Sequence, residues 1–201
     1  MIEYKNFWDG SEVLVNAKVY TKHLAKAIEF ELDFFKAFPD LIECYCVEPY
    51  SNGTVLYKVK YKTLKTPICI LWGPLKNSGI KDKDDKRIQV LNSIKLVDGL
   101  PYFAIGAYNT LDTILYVLIL DGVKEFIKNA REGRVYSSLW VNYENLLKTY
   151  RKGVYNWEDG RGRRVVGCKE KKIEIFHTTL IEILTKEGVT VSHGLDSFSC
   201  I

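Results

Sequence analysis

The sequence has no apolar run long enough to cross a bilayer: the longest, Ile114 to Leu120, is far shorter than the roughly 20 residues a spanning helix needs. The opening Met1-Ile-Glu-Tyr-Lys-Asn6 has no basic region followed by an apolar stretch, so neither a signal peptide nor an anchor is expected there, and no membrane partner is expected. A phosphate-cradling Walker loop, a dinucleotide fingerprint and a paired Cys-x-x-Cys are all missing, and Gly160-Arg-Gly162 is too short to be a nucleotide loop. Cysteine is sparse: five residues, an odd number at scattered spacings, argue for reduced thiols in a cytoplasm. Histidine is sparser still, and His23, His177 and His193 stand too far apart to suggest a ligand set. On this basis no catalytic residue, metal ligand or cofactor is nominated. Charge imbalance is also small, 29 Lys and Arg against 25 Asp and Glu, which excludes a polycationic binder but permits one basic face.

What is present is ordinary globular material, 47% hydrophobic and 27% charged over 201 residues, enough for one domain over 1–188 with a polar, partly disordered tail over 189–201. Leu24, Ala27, Ile28, Leu32, Phe35 and Phe38 follow the helical period, with Thr21 as cap and Pro39 as stop, so the spacing predicts a helix over 21–38. Strands are expected over 11–20, 42–48, 54–62, 68–72, 86–92, 102–108, 113–120 and 161–168, and the second and third flank a Pro-Tyr-Ser-Asn-Gly turn. Further helices are expected over 123–131, from Ser137 and Ser138 to Gly153, and over 170–187. Hairpin-linked strands without βαβ alternation indicate an α+β fold around a mostly antiparallel, barrel-like sheet with flanking helices.

Chemistry concentrates in the charged loop and strand over 76–92. Alternation puts Arg87, Gln89 and Leu91 on one face and Ile88 and Val90 on the other. Arginine and glutamine side by side suit guanine and adenine edges in a major groove. The plainer reading is a half-buried strand with Arg87 paired to Asp84 or Asp85. Lys81, Lys83 and Lys86, with Arg161, Arg163 and Arg164 in a second glycine-rich loop, are suited to phosphates. Tyr108, Asn109 and Trp157 complete the candidate set, Trp157 being an exposed aromatic in a polar turn.

Asp85-Lys-Arg-Ile-Gln89, Phe103-Ala-Ile-Gly-Ala-Tyr108, Leu118-Ile-Leu-Asp121, Ser137-Ser-Leu-Trp140 and Val165-Val-Gly-Cys168 together resemble the specificity domains of bacterial restriction systems, the group of EcoRII-type amino-terminal domains and LlaJI- and McrB-type modules. The likeness spans residues 68–185. It implies a pseudobarrel that grips double-stranded DNA with two arms in the major groove, in a restriction or phage-defence system, with a nuclease or motor partner elsewhere. A small metal-dependent restriction endonuclease is the alternative, since helix 21–38 and the 42–62 hairpin resemble the start of such a core. Its second strand, Tyr57-Lys-Val-Lys-Tyr61, carries lysines without the acidic partner a metal would need, although Asp40, Glu43, Glu48, Asp121, Glu125, Glu158 and Asp159 are candidate carboxylates. A non-catalytic protein-interaction subunit is the third reading.

Overall fold

The computed structural model describes residues 2–5, 12–15, 25–81, 83–130 and 136–187. Strands β1 (Ile2–Lys5) and β2 (Glu12–Val15) form a separate antiparallel pair. Helix α1 covers 25–31 and continues through Leu32–Lys36 with wider π-type hydrogen bonding, ending before Pro39 as expected. Thr21, its expected cap, and the tail over 189–201 lie outside the described residues.

The centre is a seven-stranded sheet built from β3 (Ile42–Pro49), β4 (Val55–Tyr61), β5 (Ile68–Pro74), β8 (Tyr102–Asn109), β9 (Ile114–Ile119), β11 (Val154–Glu158) and β12 (Arg164–Lys169). Its order is β11-β12-β9-β8-β5-β4-β3. All neighbours are antiparallel except β5 and β8, which run parallel. The crossover between those two carries β6 (Lys76–Asn77) and β7 (Lys86–Leu91), which join β10 (Tyr136–Val141) in a three-stranded sheet of order β10-β7-β6. Helices α2 (Val123–Ala130), α3 (Tyr143–Lys152) and α4 (Glu174–Lys186) complete the α+β fold. The large sheet ends on β3 and β11, and among the described residues no sheet closes into a barrel.

Alternation along the strands divides the interior in two. Val55, Tyr57, Val59 and Tyr61 of β4 lie in one cluster with Ile70 and Trp72 of β5, Phe30 and Phe34 of α1, and Phe176, Leu180 and Leu184 of α4. The opposite set, Leu56, Leu71, Ala104, Val117 and Val165, packs under Ile88 and Val90 of β7, Leu139 and Val141 of β10, and residues of α2 and α3. The β5 run is buried throughout because both of its faces are covered. Each large apolar side chain so enclosed contributes about 1.5–3 kcal/mol. Gly73 is what lets the small sheet sit close, since a Cβ there would meet Ile88 Cγ2 at 2.7 Å. Gly167 does the same for α3, because a Cβ there would collide with Thr149 Oγ1.

Two ionisable groups lie in the first cluster. Glu31 accepts a hydrogen bond from the Tyr57 hydroxyl at 2.8 Å, and burial pushes its carboxyl up to about 7. His177 Nδ1 lies 2.8 Å from the Tyr61 hydroxyl, and burial pulls its imidazole down to about 4. On β4, Lys60 is buried and its ammonium donates to the carbonyls of Leu64 and Lys65. Cys46, Cys69 and Cys168 are buried outside any disulfide, whereas Cys44 is disulfide-bonded and departs from the all-reduced expectation. No helix among the described residues is long and apolar enough to cross a membrane.

Three local expectations are corrected. Residues 137–141 are strand, not helix: Leu139 and Val141 point into the core opposite Ile88 and Lys86, and the helix begins at Tyr143. Its cap is Asn142, whose side chain accepts from Glu144 N–H. Residues 154–158 are an edge strand paired with β12, so Trp157 is not in a turn. The parallel β5–β8 pair, reached through a crossover, interrupts the hairpin-linked order.

Candidate nucleic-acid interface

The small sheet turns one face inward through Ile88 and Val90, leaving Arg87, Gln89 and Leu91 on the other, as alternation predicts. Register completes that outer face. Trp140 stands opposite Arg87 and Ser138 opposite Gln89 on β10, while Lys76 stands opposite Arg87 on β6. The result is a transverse row, Lys76–Arg87–Trp140, with Gln89 and Ser138 beside it. The Arg87 guanidinium carbon lies 5.8 Å from the centre of the Trp140 ring, within cation–π range. Trp140 is 39% exposed, unusual for so large an apolar side chain.

Arg87 is not ion-paired to Asp84 or Asp85. Asp85 instead accepts the Tyr143 N–H at 3.2 Å, fixing the start of α3. The Arg87 Nε is buried and has no hydrogen-bond partner among the described residues. Gln89 is more constrained: its carbonyl accepts from Asn52 Nδ2 at 2.8 Å, and its side-chain oxygen faces Lys76 Nζ at 3.4 Å. Lys76 Nζ also donates to the Asn52 carbonyl at 2.9 Å. The turn between β3 and β4 thus buttresses the platform.

β10 is the outer strand of the small sheet, and β11 is the outer strand of the large one. Between them a cleft of about 770 Å³ opens, with Ser138 and Trp140 on one side and Trp157, Arg161 and Arg163 on the other; the α3 cap Asn142 and Asn145 of α3 also line it. Asp85, Glu158 and Asp159 contribute to its walls, so the surface is mixed rather than uniformly basic. Trp157 stacks on Tyr155 with ring centres 5.7 Å apart, and Lys148 and Lys152 of α3 lie over Tyr155.

The three arginines of the β11–β12 turn have different environments. Asp159 accepts the backbone N–H groups of Arg161 and Arg163 and the Arg163 Nε at 2.6 Å. Burial alone would raise the Asp159 carboxyl, but these donors outweigh it and hold it below its usual value. Arg164 makes a bidentate pair with Asp121 through Nε and Nη2, at 2.9 and 2.7 Å, which lowers the Asp121 carboxyl. Of these three, Arg161 has a guanidinium without an ion pair or hydrogen bond among the described residues.

The other expected residues separate from this face. Lys86 is 8% exposed, donates to Asn77 Oδ1 at 2.9 Å and sits 4.8 Å from the Tyr143 ring centre, so it is placed as a structural cation. Tyr108 and Asn109 line a different, mainly apolar hollow of about 470 Å³ with Leu115, Tyr143, Leu146 and Tyr150. Lys81 and Lys83 are exposed in the loop before β7. Lys76, Ser138, Asn142 and Asn145 belong to the site although residue type did not single them out. Trp140 does too, although the sequence had placed it in a helix.

Among the candidate carboxylates, Asp121 and Asp159 are committed to arginines. No group of three His, Cys, Asp or Glu side chains among the described residues is placed to share a metal ion. Comparison with protein-family models, curated proteins and solved structures found no match for the chain. Its function is therefore argued from this geometry.

Proposed function

We propose that the chain is a DNA-binding module that holds duplex DNA against the outer face of the small sheet and the adjoining cleft, as the recognition part of a restriction or phage-defence system. One observation carries the reading: Arg87 is held beside exposed Trp140 without a carboxylate partner among the described residues, and Trp140 also lines the cleft that receives Arg161 and Arg163. Arginine and lysine position phosphates, while exposed aromatic and amide groups offer contacts to bases. The restriction-system context, a nuclease or motor partner on another chain and a cytoplasmic location come with the resemblance of the 68–185 segment. The pseudobarrel description belongs to the same proposal, supported by the small sheet stacked over the large one around a shared apolar interior.

Retention of a duplex by the full chain at increasing salt tests this reading. Binding should weaken linearly on a logarithmic scale, with a slope near 0.9 for each phosphate neutralised. Retention that does not depend on salt, or its absence at low salt, rejects the proposal. Specific cleavage in Mg²⁺ replaces it with the endonuclease reading.

A further inference from the structure

Lys76 and Arg87 are cross-strand partners on the outer face of the small sheet. No ion pair involves either one among the described residues. Among the described residues the Lys76 ammonium has neutral acceptors, the Asn52 carbonyl at 2.9 Å and the Gln89 side-chain oxygen at 3.4 Å. Burial and the nearby guanidinium both weaken its hold on its proton. Arg87 carries a buried, unpartnered Nε. Its Nη2 would lie 3.6 Å from a Cβ at Gly79, a residue with φ of +72°, so the loop backbone comes close to the guanidinium. Two like charges held side by side by neutral groups repel each other, and an anion placed between them would relieve that repulsion.

We propose that Lys76 and Arg87 form a phosphate-binding notch whose ligand is a phosphomonoester, the terminal phosphate of a nucleic-acid strand or of a mononucleotide. A backbone diester brings one negative charge, whereas a phosphomonoester carries about 1.5–2 at neutral pH and can neutralise both cations at one place. The arginine fork suits two phosphate oxygens, and the lysine supplies a point charge to a third. Trp140, next to Arg87, offers a stacking face for the base attached to that phosphate. The strand-end form of this inference rests on the nucleic-acid reading, while the mononucleotide form does not.

The test measures binding of the full chain to oligonucleotides of one sequence bearing a 5′-phosphate, a 3′-phosphate or hydroxyls at both ends, alongside AMP and adenosine. A phosphorylated end should bind about tenfold more tightly than a hydroxyl end, as expected for added charge-assisted hydrogen bonds. Arg87→Ala and Lys76→Met should each erase that advantage in a chain that still melts cooperatively, while Arg161→Ala weakens all oligonucleotides alike. AMP binding above adenosine identifies the free nucleotide as a ligand, and an end effect without it identifies the strand terminus. Equal binding of all oligonucleotides, with no AMP binding, overturns the notch and leaves the DNA reading standing. AMP binding lost in Arg87→Ala, with no oligonucleotide retained, keeps the notch and removes the DNA reading.

Discussion

Replacing Glu31 by Gln should stabilise the protein at neutral pH while making its stability fall in acid. Glu31 is 5% exposed, and burial raises its carboxyl from 4.5 to about 7. A carboxyl with a raised folded-state value contributes fully below the unfolded value and loses that contribution as pH rises through the folded one. The interval between 4.5 and 7 corresponds to about 3 kcal/mol. His177 works in the opposite sense. Its value falls from 6.5 to about 4 on burial, so its contribution is complete above 6.5 and is lost as pH falls towards 4. Between about pH 4.5 and 6.5, folding takes up a proton at Glu31 and releases one at His177, and the two slopes cancel. Glu31→Gln retains an acceptor for the Tyr57 hydroxyl and removes one slope. The variant should gain up to about 3 kcal/mol at pH 7.5, and this advantage over the parent should shrink by up to about 1.4 kcal/mol per pH unit between 7 and 4.5. Asp33, also raised by burial, titrates in both proteins, so the difference curve isolates Glu31. Urea unfolding followed by tryptophan fluorescence from pH 4 to 8 measures it. A variant less stable than the parent at pH 7.5, or a difference curve flat across this range, would refute the reasoning.

At the site, Trp140→Ala should weaken DNA binding by about 1–3 kcal/mol with little change in melting temperature, since its ring is exposed on the platform; a fluorescence titration with a thermal melt reads both. Arg161→Ala should reduce the salt slope by about one unit, whereas Arg163→Ala should also lower the melting temperature by breaking the 2.6 Å contact to Asp159. Lys86→Met should lower the melting temperature, because its ammonium is bonded to Asn77 and lies over Tyr143, and should leave the salt slope unchanged. The isolated chain should not cut DNA in Mg²⁺ or Mn²⁺; product that disappears on changing Asp40, Glu48 or Asp121 would reverse that expectation.

The parts of this molecule legible in its sequence are those specified by one strand's own alternation. β4 declares Val55, Tyr57, Val59 and Tyr61 as one inward face, and β7 declares Arg87 and Gln89 as outward. The same alternation assigns Lys86 to the inward face with Ile88 and Val90, so its structural role was readable once charge was set aside. Residues 137–141 were ambiguous because Leu139, Tyr143 and Leu146 suit a helical period as well as Leu139 and Val141 suit a strand. The paired serines resemble a cap, but Asn142 supplies the actual one.

Pairing across distance was the information no local pattern held. Asp159 lies four residues before Arg163 and could be suspected as its partner, but Asp121 is 43 residues from Arg164. The pair ties the start of β12 to the end of its sheet neighbour β9. The cleft has the same origin. Its walls come from 137–145 and 157–163, and they face each other because β10 edges one sheet while β11 edges the other. A site between two sheet edges has no sequence period of its own: charge marks the loops, whereas Trp140, at the junction of platform and cleft, falls in a stretch that also fits a helical period. Its exposure gains functional meaning from the register that sets it opposite Arg87.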